Sequence, residues 1–170
     1  MTVGRDAALL DRRRVDLVDE DLPKIPHHSE CQRLPIDEAV ALVERVRASA
    51  EKHARLALDG VARAVPNIAG VTLRKCPPLS PTIAECIQDY FGQNNADWVM
   101  YRQALAAAAE ARGWPVYWFD AKKVFDEAAR ALGSTNLNAH FLQVRKAIGP
   151  PWNADHKLAM AAAIAAASTV

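Results

Sequence analysis

His27, His28, Glu30 and Cys31 place four possible metal ligands within five residues. On an extended chain alternate side chains share a side, so His28 and Glu30 would point together. Adjacent ligands do not fill a tetrahedral shell alone, and a structural zinc site wants a second pair of the CxxC kind, which this chain lacks. A solvated polar loop accounts for the same cluster. Asp155 and His156 follow the breaker Gly149-Pro150-Pro151 and fall in the first turn of a helix. There Asp155 could coordinate a metal and His156 orient a phosphate or a water, or the carboxylate could simply offset the helix dipole. Asp120 ends the run PVYWFD at a carboxyl edge, where ligands of open α/β sheets bind; it could equally cap the next helix.

Other groups have two readings as well. Asp97, Trp98, Tyr101 and Arg102 share the expected start of a helix, as a surface for a partner or a base, or with Asp97 as an ordinary N-terminal acid. Arg12-Arg13-Arg14 could grip phosphate, yet Asp11, Asp16, Asp19, Glu20 and Asp21 surround it, which favours a solvated turn. Trp114, Tyr117, Trp118 and Phe119 gather around one strand, where core packing is the simpler use. The chain has no glycine-rich phosphate loop, GxSxG elbow, HExxH helix or calcium loop, so those motif-defined classes are not indicated.

These side chains need a scaffold, and 170 residues suit one domain, 1–170, without staples. Lys plus Arg, 21, nearly cancels Asp plus Glu, 20, so no global field draws in nucleic acid or an anionic membrane. Cys31, Cys76 and Cys86 are odd in number and far apart, which fits reduced thiols in a cytoplasmic protein. Residues 1–14 lack a signal peptide's apolar core, and the alanine-rich stretch 158–170 is too short to span a bilayer. The alanine content suggests a bacterial source.

Residues 1–34 read as strands and loop: runs 7–10 and 15–18 as a hairpin across the arginine trio, then a proline-bearing loop or edge strand at 22–34 that disfavours helix. Pro35 opens a long helix with Ile36, Val40, Val43, Val46, Ala50, Ala54, Ala57 and Val61 on one face. Residues 68–76 read as a strand, and Ser80-Pro81 starts a helix that Gly92-Gln93-Asn94-Asn95 ends. Helices at 97–112, 122–132, 137–148 and 153–168 flank a strand at 115–120. Such alternation predicts an α/β fold: a mixed sheet with an N-terminal antiparallel part, parallel central strands and helices on both faces.

This element order, with the phrase Asp155-His156-Lys157-Leu158-Ala159-Met160-Ala161-Ala162-Ala163-Ile164-Ala165, resembles the ribonuclease H-like superfamily, in its Holliday-junction-resolvase-like branch. The resemblance implies carboxylates from the first strand, the fourth strand and the last helix, holding magnesium or manganese for phosphodiester cleavage. Asp155 matches the last of these. Asp6, Asp11 and Asp16 are near the first by position only, and the strand at 68–76 carries no carboxylate. The expected site is thus Asp155, Asp120 and His156 for chemistry, with Asp155, Asp120 and Asp16 for metal. Nucleic acid is the implied partner, though the net charge does not favour it. The alternative is a non-enzymatic interaction or assembly protein, in which helix 36–65 and the terminal helix pack across a homodimer.

Overall fold

The computed structural model of the chain describes residues 1–133 and 136–168. It is mixed α/β and 57% helical. Two compact units interleave in sequence: Met1–Arg14, Gly60–Lys75 and the residues from Gly113 onward make the first, and Val15–Asp59 with Cys76–Arg112 make the second.

In the first unit, β1 (Thr2–Val3) and β2 (Leu9–Asp11) pair antiparallel. The hairpin closes earlier than the sequence pattern suggests. The Gly4 and Ala8 backbones meet at 2.9 Å, Asp6 Oδ1 accepts from Ala8 N at 3.1 Å, and Ala7 takes φ 62°. The arginine trio therefore lies beyond the hairpin, where Arg13 forks onto Asp11 at 2.7 and 3.0 Å. Residues 15–18 form no strand; Val18 is buried in the core of the second unit instead.

β3 (Val71–Arg74) and β4 (Val116–Phe119) run parallel with Val71 opposite Val116 and Arg74 opposite Phe119. Among the described residues the strands form two separate two-stranded sheets, not one mixed sheet. α4 (Val124–Ala131), α5 (Leu137–Ile148) and α6 (Ala154–Ala167) supply most of this unit's core. Alanines 128, 161 and 162 let α4 and α6 approach closely around Met160, Val124 and Phe141, all buried.

The second unit is helical. α1 (Ile36–Ala64) buries Ala39, Leu42, Val43, Val46, Ala50 and Ala54, as its three- and four-residue spacing requires, whereas Ile36 stays exposed. The loop at 22–34 is irregular apart from one short 3-10 helix, Glu30–Arg33, which lies beyond its prolines. α2 (Ile83–Gln88) starts at Thr82 rather than Ser80. Thr82 Oγ1 accepts from Glu85 N at 3.2 Å and Glu85 Oε2 accepts from Thr82 N at 3.0 Å, a reciprocal cap that Ser80 cannot form.

α3 (Tyr90–Glu110) begins seven residues before the expected start. Asp89 closes α2 and opens α3, accepting from Gly92 N at 2.7 Å. Gly92 is glycine because of crowding: a Cβ there would lie 2.7 Å from Cys86 Cα. α3 ends at Glu110 with Ala111 as its C-cap, two residues before the expected Arg112, and Gly113 at φ 72° turns the chain beyond it.

Candidate functional site

The early start of α3 carries Asp97 to its interior, not to its first turn. Ala96, Val99 and Met100 around it are buried, and Asp97 itself is 2% exposed. A buried carboxylate must be satisfied by donors, and the loop at 22–34 provides three. His27 Nδ1 lies 2.7 Å from Asp97 Oδ1, His27 N donates to the same oxygen at 3.2 Å, and His28 N donates to Oδ2 at 3.3 Å. Gln32 Nε2 then ties the loop down by donating to His27 O at 2.8 Å and to Ile87 O at 3.3 Å.

A carboxylate offers only acceptor lone pairs, so Nδ1 carries the ring proton and Nε2 of a neutral His27 keeps its lone pair. Nε2 has no hydrogen-bond partner among the described residues. The His27 side chain, 4% exposed, lines a cavity of about 510 Å³ with Arg47, Cys76, Ser80, Thr82 and Cys86. That volume lies within the range of small-molecule sites.

The thiols differ. Burial pushes the Cys31 thiol up to about 11, with the charges of Asp97 and Glu30 adding to the effect, and its Sγ donates to Ala39 O at 3.5 Å. Burial also raises the Cys86 thiol, whose Sγ donates to Ser80 O at 3.4 Å. Cys76 is half-buried on the cavity wall and makes no hydrogen bond among the described residues. The Tyr101 hydroxyl donates to Lys24 O at 2.7 Å, and burial together with the Asp97 charge holds it up to about 12.

The four-ligand cluster does not converge on one point. His27 and Cys31 are buried, whereas His28 and Glu30 are exposed. Cys31 belongs to the core beside Val43 and Met100. The loop is thus an anchored segment rather than a solvated one.

The residues expected to hold metal are spread over both units. Asp120 is half-buried and accepts from Lys122 N at 2.8 Å, shaping the turn into α4. Asp155 is exposed in the first turn of α6. His156 closes a reciprocal cap: Asn153 Oδ1 accepts from His156 N at 3.1 Å, His156 Nδ1 accepts from Asn153 N at 3.3 Å, and the ring stacks on Trp152. Asp16 lies in the second unit, exposed, 3.8 Å from Lys24 Nζ. Among the described residues no three His, Cys, Asp or Glu side chains are placed to share a metal ion. Arg12 reaches Pro151 O at 2.6 Å and Arg13 is paired with Asp11, both within their own unit.

A second histidine–carboxylate contact escaped the sequence reading. Asp19 accepts from Ser49 Oγ at 2.6 Å and Lys52 Nζ at 3.1 Å and meets His53 Nε2 at 2.9 Å. These donors, His53 first, hold the Asp19 carboxyl well below the usual carboxylate range. Its only sequence signal is Ser49, Lys52 and His53 at three- and four-residue spacing on one face of α1.

The first unit has an open cavity of about 610 Å³ floored by Tyr117 and Phe119 and flanked by Glu127, Arg130 and alanines of α6. Among the described residues no helix is long and apolar enough to cross a membrane. Set against models of known protein families, curated proteins and solved structures, the chain matches none of them.

Proposed function

We propose that the protein is an enzyme whose proton transfers run through His27, oriented by Asp97, at the cavity of the second unit. One observation carries this reading: a buried carboxylate fixes Nδ1 of a buried imidazole at 2.7 Å, and the same imidazole lines a cavity of small-molecule size. A carboxylate behind a histidine sets its tautomer and stabilises the imidazolium formed when Nε2 takes a proton, which is what a general base requires.

The test pairs structure with rate. Long-range proton–nitrogen NMR should find His27 as the Nδ1–H tautomer. 4-Nitrophenyl acetate should be hydrolysed at least about 100-fold more slowly by His27→Gln, the usual worth of a positioned base. Equal rates for the two proteins, with both folded, overturn the proposal and leave the pair as a clamp on the loop.

A second reading, an interaction or assembly protein, draws on a different observation. Tyr90, Phe91 and Trp98 are 80%, 48% and 56% exposed along α3, while the alanine face of α6 is buried within its own unit. Sedimentation velocity at rising concentration, on the wild type and on Tyr90→Ser with Trp98→Ser, tests it. Metal-dependent phosphodiester cleavage rests on the resemblance alone, and calorimetric titration of magnesium and manganese into wild type, Asp155→Asn and Asp120→Asn tests that reading.

A further inference from the structure

Resting on the acid–base reading of His27, we infer that Cys76 is the nucleophile of this site and that Arg47 selects acyl substrates that carry a negative charge. Of the three thiols, Cys31 and Cys86 are buried, raised above the ordinary thiol range and engaged with backbone carbonyls. Cys76 is half-buried, makes no hydrogen bond among the described residues and begins the wall Cys76–Ser80 of the cavity that His27 lines. The nearly buried imidazole, its Nε2 without a partner among the described residues, is the second and independent mark of a site in that cavity.

Arg47 reaches the same cavity from α1 and has no ion pair or hydrogen bond among the described residues. Its charge is felt at Cys86, which lines the same cavity. An exposed guanidinium with no internal counter-ion, lining the same cavity as the nucleophile, suits a carboxylate or phosphate on the substrate.

The step balances within the site. With an ester bound, His27 Nε2 takes the Cys76 thiol proton through one water, and the thiolate adds to the carbonyl carbon of the ester. The carbon–oxygen bond breaks, the alcohol oxygen leaves with the proton from His27, and the acyl group stays on sulfur as a thioester. Water then adds with His27 as base, the carbon–sulfur bond breaks, and the released carboxylic acid leaves Cys76 protonated.

Mono-4-nitrophenyl succinate and neutral 4-nitrophenyl butyrate are the probes. Wild type should release nitrophenolate in a burst and gain the mass of one succinyl group on the peptide containing Cys76. It should prefer the anionic ester by at least about tenfold, the worth of one charge-assisted hydrogen bond. Arg47→Gln should bring the ratio of the two rates, anionic over neutral ester, down to about one. Cys76→Ser, folded by circular dichroism, should lose the adduct. An adduct on another residue, or none, or an anionic preference in Arg47→Gln as large as that of wild type, overturns the inference. If His27→Gln loses hydrolysis while Cys76→Ser retains it, the acid–base reading stands and the nucleophile falls; if neither loses it, both fall.

Discussion

The second unit holds two histidine–aspartate contacts of nearly equal length, His27–Asp97 at 2.7 Å and His53–Asp19 at 2.9 Å, in opposite surroundings. Asp97 is buried and satisfied by one imidazole and two backbone N–H groups of a single loop. Asp19 is half-exposed and satisfied by three side chains of α1. Water competes for Lys52 and His53 of the second pair, though not for the buried Ser49, and for almost none of the donors of the first. Contact length therefore does not rank them; the cost of breaking them does.

The largest effect should come from Asp97→Ala. It strands two backbone N–H groups and a buried imidazole, and urea unfolding should show a loss of about 3–5 kcal/mol, the cost of removing one partner of a buried pair. A loss no greater than that of Asp19→Ala would dissolve the contrast. Next comes Gly92→Ala, which drives a methyl into the Cys86 backbone and should cost about 1–3 kcal/mol, read from the same urea midpoints.

A kinetic contrast sharpens the burial difference. Iodoacetamide at pH 8 should modify Cys76 and leave Cys31, held up to about 11, until the chain unfolds, as peptide mass mapping will show. The smallest effect belongs to Asp19→Asn. The Asp19 carboxyl is depressed in the folded state, so its contribution is full above the ordinary carboxylate range and fades as pH falls through that range toward the depressed value. The melting temperature of Asp19→Asn should trail wild type at pH 7, with the gap closing below pH 4 and shrinking in high salt.

Much of the scaffold was readable from local chemistry. The stripe of α1, the span of α5 and the turn at Gly113 all follow from spacing and turn residues, which act over a few positions of chain. The site was not, because one packing constraint misled the local reading. Gly92-Gln93-Asn94-Asn95 has the composition of a helix end, yet Gly92 sits inside α3 for want of room beside Cys86. Moving the start of α3 back turns Asp97 from a capping acid into a buried acceptor. Its partner lies 70 residues away, where two adjacent histidines look like a polar loop. The two units are likewise hidden, since their segments alternate along the chain and no linker composition marks the borders.

Asp89 ends one helix and begins the next with no residue to spare. A chain this tightly joined has no slack for length variation. One residue inserted between Asp89 and Asp97 would turn the remainder of α3 by about 100° and carry the carboxylate away from His27. Substitutions in this stretch are graded in their cost, but insertions and deletions are all or nothing, so chain length between these two aspartates sets the angle at which the site is assembled.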